Sequence, residues 1–596
     1  MTKLSSLQSE IPFEALDPKR IKLESSRKNA LDQGRTRLLV TGVVFSLAFL
    51  VLGARLVDLS RHGNGGGPKW QALSSAQIEK PVVARGDVYD RNGHLIATSL
   101  PTKSLYVDSK EALRGGKAEA AAEKLLTVLP GLDRKKLIAR IKSGGRQVWI
   151  DRNLTPDQVY AVNHLGLPGF GFRREEQRVY PFGPTFAHVL GYTDVDGKGI
   201  AGLERTFHSK LGTHGESLEL SIDLRAQTVL HQELTKAKDK YTATGAAGVV
   251  MDVKTGEIVA MASLPDFDPN TRRGSLGDAG FNRVTKGVYE MGSTFKLFNT
   301  AIALDTGTVG MTDGYDATDP IRVSRFTISD YHAKKRWLSV PEILMYSSNI
   351  GSAKMALDVG AKTQKEYLKR FGFLGSADVE LPEVGNPLYP VRWNKTETMT
   401  ISYGHGIAVS PLQVVAGVSA LVNGGEMVRP TLIKRSEKNP LVTERVIKAK
   451  TSDAMRKMMR LVVRGGSGTA ADIKGYLVGG KTGTAEKQAD GGYDKDSLMS
   501  SFVAAFPMTS PRFVVLVVMD DPQLHEGPAY LRPTGGRVAA PVVGEVIARL
   551  GPIFGVVPDS GGDDAEEDPD HPLHVPISVG PKQSAELRGG LTHAAF

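Results

Sequence analysis

The first strong pattern along the chain is an unbroken apolar run. Leu38 to Ala54 (LLVTGVVFSLAFLVLGA) holds 17 residues without a charge, with Arg35 and Arg37 before it and Arg55 after it. An apolar stretch of that length predicts a membrane-spanning helix near the short end of the usual range, assigned to residues 38–57. A cleaved signal peptide starts closer to the N-terminus, has a shorter core and ends in a small-residue cleavage site; none of these fits, so an uncleaved signal-anchor is predicted. Residues 58–240 mix short strand-like and helical stretches, with a turn at Asp90-Arg91-Asn92-Gly93 and short helices over 120–127 and 134–142. Beyond about 240 the texture changes. Gly248 to Ala262 reads as two apolar strands around a Lys254-Thr255-Gly256 turn. Arg512 to Met519 is a β-branched run, hence a buried strand. Helical patterns lie between them over Pro341–Gly351 and Ser410–Val422. The fold class predicted is multidomain α+β: a cytoplasmic arm (1–37), one transmembrane helix (38–57), an extended mixed α/β module (58–240) and a mixed α/β domain (241–552). From Phe554 the pattern stops. Seven acids fall between Asp559 and Asp570 among Gly, Ser and Pro, which predicts a disordered acidic tail over 553–596.

Charge sets the orientation. The chain has 75 Lys+Arg and 65 Asp+Glu, a formal net charge of +10. Eight Lys/Arg lie in the first 37 residues (Lys3, Lys19, Arg20, Lys22, Arg27, Lys28, Arg35, Arg37) against five acids. Basic residues crowding one flank of a span keep that flank in the cytoplasm, so the bulk of the chain is expected outside. The remaining positive charge is scattered, without a dense basic tract interleaved with aromatics, which argues against nucleic acid as a partner. There is no cysteine, which excludes a disulfide scaffold, a cysteine protease and a thiolate zinc site. His188, His332 and His405 lack metal-type spacing. No metal and no cofactor are expected.

Three short signals occur in order: Ser293-Thr-Phe-Lys296, Ser347-Ser-Asn349 and Lys481-Thr-Gly483. Together they make the S-x-x-K, S-x-N, K-T-G set of serine acyltransferases that recognise penicillin. Each is weak alone. Ser25-x-x-Lys28 repeats the first in the cytoplasmic arm, and Lys254-Thr-Gly256 repeats the third ahead of the serine, in the wrong order. The ordered triple is the specific signal. A serine hydroxyl needs an adjacent base to act as nucleophile. Ser293 and Lys296, three apart at a helix start, lie on one helical face. Lys296 acts as a base near neutral pH only if its pKa of about 10.4 is depressed by burial or a neighbouring cation, and Lys481 is that cation. The Ser293 and Thr484 backbone N–H groups are the expected oxyanion hole. Lys481 with the Thr482 and Thr484 hydroxyls suits a terminal carboxylate, and Gly483, without a side chain, would let a substrate backbone approach an edge strand. Ser347 is the expected relay to the leaving amine, and Asn349 the expected contact to a substrate amide.

With these residues the sequence resembles class B penicillin-binding proteins, the monofunctional D,D-transpeptidases that cross-link peptidoglycan. The resemblance extends from residue 38 to about 550. Arg85-Gly-Asp-Val-Tyr-Asp-Arg-Asn-Gly-His-Leu-Ile-Ala97, Arg178-Val-Tyr-Pro-Phe-Gly183 and Gly199-Ile-Ala-Gly-Leu-Glu204 look like signatures of the family's non-catalytic pedestal, and Asp252–Asn270 resembles the segment that opens its transpeptidase domain. The resemblance implies a β-lactamase/transpeptidase-like fold, an antiparallel sheet flanked by helices. It implies no polymerase activity, stem peptides of lipid-linked or nascent peptidoglycan as substrates, and β-lactams bound covalently at Ser293. It places the catalytic domain in the periplasm, on the inner membrane. Tyr289-Glu-Met-Gly-Ser293, Asp330-Tyr-His332 and Ser402-Tyr-Gly-His-Gly406 resemble the division-specific branch more than the elongation branch. That branch implies a SEDS-type glycan polymerase and other divisome membrane proteins as partners, at the division site. Met291 stands where many relatives have Pro, a change expected to alter rigidity rather than chemistry. The competing readings are an elongation-specific transpeptidase, a β-lactamase or β-lactam sensor, and a non-catalytic divisome scaffold.

Overall fold

The structure is a computed structural model. It describes residues 18–62, 84–323, 326–489, 492–525, 528, 531–559, 568 and 571–575. It divides into two units, the N-terminal helical segment and the chain from residue 83 onward.

The N-terminal unit is one helix, α1 (Pro18–His62). Its apolar part, Gln33–Asp58, is 26 residues with a mean hydropathy of 2.1 and no buried surface. At 1.5 Å per residue that is roughly 39 Å, enough to cross a hydrocarbon core of about 30 Å. The helix begins well before the apolar run, so the basic arm is helical from Pro18; residues 1–17 of the arm lie outside the described residues.

The second unit starts with a five-stranded sheet built from β1 (Val88–Tyr89), β2 (Leu95–Val107), β3 (Val148–Leu154), β4 (Phe170–Val179) and β5 (Leu218–Glu219). The turn read at Asp90–Gly93 is there: the Asp90 carboxylate accepts from the Asn92 and His94 N–H groups at 2.8 Å each, and Gly93 takes φ 85°. The far ends of β2, β3 and β4 pack with helices Ala118–Val128 and Arg134–Lys142 on a separate small core that includes Leu105, Leu125, Ile141 and Ile150. The near end behaves differently. Val88, Ile96, Ala97 and Leu218 belong to the main core of the following domain. The three signatures around Arg85, Arg178 and Glu204 meet at this near end. Both guanidiniums reach the fully buried Glu204 carboxylate, Arg85 Nε at 2.6 Å and Arg178 Nε at 2.7 Å. Arg178 also donates to Gly86 O at 2.9 Å and Arg85 to Gly197 O at 3.0 Å.

Next come α2 (Leu224–Lys240), β6 (Gly245–Asp252), β7 (Ile258–Leu264), α3 (Phe295–Thr306), α4 (Val340–Met345), α5 (Asn349–Val359), α6 (Pro411–Val422), α7 (Ala449–Gly465), β8 (Gly479–Ala489), β9 (Gly492–Phe506), β10 (Phe513–Asp520) and α8 (Gly535–Ile553). The strands form one antiparallel sheet in the order β8-β9-β10-β6-β7. Successive side chains alternate between faces, and β10 is apolar on both. Val515, Val517 and Met519 pack with α2 and α8, while Val514, Leu516 and Val518 pack with α3, α6 and α7. The sheet is therefore the middle of three layers, and β8 is its edge.

Three boundaries differ from the sequence reading. Helix α2 lies inside the sheet's own core, so the module boundary at 240 falls too late. The pattern over Pro341–Gly351 is two helices, because Ser347 takes φ 59°, a left-handed conformation that an α-helix cannot contain, and Ser348 then caps α5 by accepting from Gly351 N at 3.0 Å. The ordered chain also passes residue 552. The Phe554 ring stacks on Phe513 at 4.5 Å, Asp559 N donates to Gly475 O at 2.7 Å, and Leu573 is 6% exposed. Residues 560–567, 569–570 and 576–596 of the acidic tail lie outside the described residues.

Glu204 compensates two buried cations, so its removal strands both. Glu204→Gln is expected to destabilise the chain by about 3 kcal/mol or more, read as a lowered midpoint in thermal or urea unfolding, and an unchanged midpoint would contradict this account of the three signatures.

Candidate active site

Four segments build the site. A tight turn, Gly292–Thr294, precedes α3 and carries Ser293. Gly292 is required there. It takes φ 52°, and a Cβ would lie 2.4 Å from the Thr484 carbonyl oxygen. Lys296 lies in the first turn of α3 with no exposed surface, and its Nζ is 2.7 Å from Ser293 Oγ. The left-handed Ser347 between α4 and α5 turns its hydroxyl back to Lys296 Nζ at 3.3 Å. Lys481, on the edge strand β8 and also fully buried, donates to that hydroxyl at 3.0 Å. Ser347 therefore bridges the two lysines. Asn349, first residue of α5, presents Oδ1 to Lys296 Nζ at 2.7 Å and donates from Nδ2 to Ser329 O at 2.8 Å.

The contacts around Lys296 fit a neutral amine. An –NH2 group has two N–H donors and one lone pair. Asn349 Oδ1 only accepts, so it takes one N–H, and Ser347 Oγ takes the second. The lone pair is left facing the Ser293 hydroxyl. The electrostatics agree: burial, reinforced by the positive charge of Lys481 and opposed by Asp330, holds Lys296 well below the usual lysine range. Burial pushes Lys481 down to about 7. The sequence reading gave Asn349 to a substrate amide; in the structure its amide first orients the base.

The residues of the third signal stand side by side on β8. Thr482 Oγ1 lies 2.8 Å from Ser467 Oγ and 3.3 Å from Lys481 Nζ. Thr484 Oγ1 accepts from Gly535 N, at the start of α8, at 3.1 Å, which leaves its own hydroxyl proton to donate. Gly483 also carries the contact with the serine turn. A Cβ there would meet Met291 O and Ser501 Oγ at 2.4 Å and Thr294 Oγ1 at 2.6 Å, so its bareness lets the serine turn pack onto the strand. Ser25-x-x-Lys28 is in α1, within the N-terminal unit, and Lys254-Thr-Gly256 is the β6–β7 turn.

Four residues that no catalytic motif singled out also belong to the site. The Asp330 carboxylate accepts from Ser348 Oγ (2.7 Å), Asn349 N (2.6 Å) and Ile350 N (3.0 Å), fixing the turn that carries Ser347. The buried Glu290 carboxylate accepts from Gly406 N (2.9 Å), Gln488 Nε2 (3.2 Å) and Tyr493 OH (3.0 Å), tying the far end of the β8–β9 hairpin to the segment before Ser293. The Tyr403 ring lies 5.8 Å from Lys296 Nζ, and burial, with Glu290 nearby, pushes its hydroxyl up to about 12. Ser467 is the fourth. Glu290, Asp330 and Tyr403 sit in the three segments whose resemblance suggested the division branch, so the sequence carried that signal. Of the three histidines, His405 lies beside Tyr403 and Tyr493, His188 is buried against Phe267 and His332 is on an exposed loop.

A serine held by a buried, deprotonatable lysine, with a second buried lysine on an adjacent edge strand, defines a serine acyltransferase. The comparisons give the family. Residues 246–548 match the penicillin binding protein transpeptidase domain and residues 80–227 the penicillin-binding protein dimerisation domain. The chain is 40% identical to the probable peptidoglycan D,D-transpeptidase FtsI of Caulobacter vibrioides over 89% of this chain and 91% of that protein. It is 33% identical to the peptidoglycan D,D-transpeptidase FtsI of Escherichia coli K12 over 82% of this chain and 87% of that protein. The transpeptidase domain of penicillin-binding protein 3 from Burkholderia pseudomallei superposes with a TM-score of 0.51 at 31% identity, covering 57% of this chain and 97% of that one. The chain belongs to the class B penicillin-binding proteins.

Gly483→Ala tests the packing of the serine turn. The added methyl is expected to cost about 1–3 kcal/mol and to slow acylation by a fluorescent penicillin, because the turn must shift off β8; a variant with wild-type stability and labelling would contradict it.

Proposed function

We propose that the chain is a membrane-anchored serine D,D-transpeptidase that cross-links peptidoglycan stem peptides in septal wall synthesis, with Ser293 as its nucleophile. The observation that carries the reading is the 2.7 Å approach of the buried Lys296 amine to Ser293 Oγ. Ser293 Oγ attacks the carbonyl carbon of the penultimate D-Ala, and its proton passes to Lys296 Nζ. The Ser293 and Thr484 N–H groups receive the developing oxyanion. Lys481, Thr482 and Thr484 hold the terminal carboxylate. As the tetrahedral species collapses, the C–N bond breaks, the proton returns through Ser347 to the departing D-Ala amine, and the acyl group stays on Ser293 as an ester. An amine of a second stem then attacks that ester, giving the cross-link and restoring the serine. A β-lactam enters by the same attack on its lactam carbonyl, but its leaving amine remains tethered.

The basic arm supports a cytoplasmic N-terminus and a periplasmic catalytic unit on the inner membrane. The relatives named FtsI support work at the division site; a SEDS-type polymerase and other divisome membrane proteins are the partners that the resemblance to the division-specific branch implies. The pedestal assignment, roughly residues 84 to 223, and the transpeptidase assignment from there to about 559 follow the cores described above.

Ser293→Ala is expected to abolish covalent labelling by a fluorescent penicillin, and persistent labelling at the same stoichiometry would sink the nucleophile assignment. The lysines set a pH dependence. Lys296 must be neutral to accept a proton, so acylation falls as pH drops through its depressed pKa. Lys481 loses its cation above about 7, so the rate of acylation by carboxylate-bearing penicillins falls again on the alkaline side. A rate that rises monotonically to pH 10 would refute the division of roles between the two lysines.

A further inference from the structure

Between Ile321 and Arg336 the sequence carries five Lys/Arg (Arg322, Arg325, Lys334, Lys335, Arg336) and a single acid, Asp330. Asp330 is occupied by its three donors on the Ser348–Ile350 turn. At the other end of the loop Arg336 is held by Glu342 at 2.6 Å and donates to Trp337 O at 2.8 Å. Both ends of segment 331–335 are thus bolted to the α4–α5 pair that presents Ser347. Lys334 and Lys335 are exposed at its tip. Lys334 Nζ stands 4.4 Å from the ring centroid of Tyr346, the residue before Ser347. Lys335 is held at φ 51°, a conformation that a residue with a Cβ adopts at a cost. Among the described residues no carboxylate pairs with either ammonium. Two uncompensated cations on a doubly anchored loop next to the Ser347 turn form an anion-binding surface.

Resting on the transpeptidase reading, we propose that the loop Tyr331–Arg336 is a subsite for a carboxylate of the acyl-donor peptide upstream of its D-Ala-D-Ala end. The terminal carboxylate is met on β8 by Lys481 and its threonines. A donor lying along that edge projects its upstream residues away from the terminal-carboxylate pocket, and the loop anchored to the Ser347 turn carries Lys334 and Lys335 on the α4–α5 side. A carboxylate there gains both charges without displacing an existing ion pair, and the rigid anchoring lowers the ordering cost of binding. The loop therefore selects acidic over neutral stems rather than taking part in bond making.

The test uses the full-length protein and two synthetic thioester donors ending in the D-Ala acyl group, alike except that one upstream residue carries a free carboxylate in the first and a carboxamide in the second. The wild type is expected to favour the acid in kcat/KM by about fivefold or more, and added salt should erode that ratio. Lys334→Gln with Lys335→Gln should bring the ratio to about one, and Lys334→Glu with Lys335→Glu should invert it. The carboxamide donor serves as the internal reference, so a general loss of rate leaves the ratio readable. Turnover of both donors without discrimination by the wild type, or a ratio unmoved by the charge reversals, overturns the subsite. If neither donor is turned over, the transpeptidase reading itself falls.

Discussion

Two lysine side chains with no exposed surface share one serine hydroxyl, and the catalytic half of the structure is arranged around that constraint. Lys296 Nζ and Lys481 Nζ lie 3.3 and 3.0 Å from Ser347 Oγ, so they are no more than about 6 Å apart. Two full charges at that distance repel by a few kcal/mol even at the moderate effective dielectric of a protein interior. Burial adds a penalty to each. The least costly state keeps one lysine neutral, and that one is Lys296, because burial and the Lys481 charge together hold it well below the usual lysine range, whereas burial alone brings Lys481 down to about 7. A base is made here by subtraction of solvent and by a neighbour of like sign, without any carboxylate touching the amine.

Maintaining that arrangement needs rigid walls, and the fold supplies them from several distant parts of the chain. The serine turn is pressed on the edge strand through two glycines, Gly292 and Gly483, whose missing side chains let the backbones meet. The Ser347 turn is a break between helices pinned by Asp330. The hairpin beyond β8 is tied back by Glu290. Each of these polar anchors is a carboxylate satisfied by three donors, the kind of network that fixes one geometry when complete. The dimerisation-type module adds to this stiffness at its near end, where Val88, Ile96 and Leu218 enter the same core as the sheet, whereas its far end has a core of its own.

The sequence made much of this legible, for identifiable reasons. The β10 run and the α6 pattern are periodic and apolar on their buried faces, and both elements appear within a residue or two of where periodicity put them. The catalytic triple was legible because order and spacing exclude chance repeats. The break at Ser347 was not, since a single left-handed residue leaves the helical period on either side intact. Asp330 and Glu290 were visible only as members of resembling segments, because an acid that orients a backbone turn looks like any surface acid until its partners are placed. The α2 boundary was missed for a similar reason: an amphipathic helix does not announce which of two adjacent cores its apolar stripe will join.

The two Lys-Thr-Gly tripeptides show what the motif alone lacks. In Lys254-Thr-Gly256 the glycine takes φ 70° and closes the β6–β7 turn, with Lys254 pointing into solvent. In Lys481-Thr-Gly483 the same residues are paired along β9 in register with Val503, Phe502 and Ser501, and alternation along the strand sends Lys481 inward, under the serine turn. The decisive difference is that one tripeptide ends a strand and the other continues it. A strand interior is the setting that can bury an ammonium beside a neutral amine, because the pairing hydrogen bonds hold the backbone while the elements packed on that face cover the side chain. The chemistry of this site therefore depends less on the identity of Lys, Thr and Gly than on the edge-strand register that carries them.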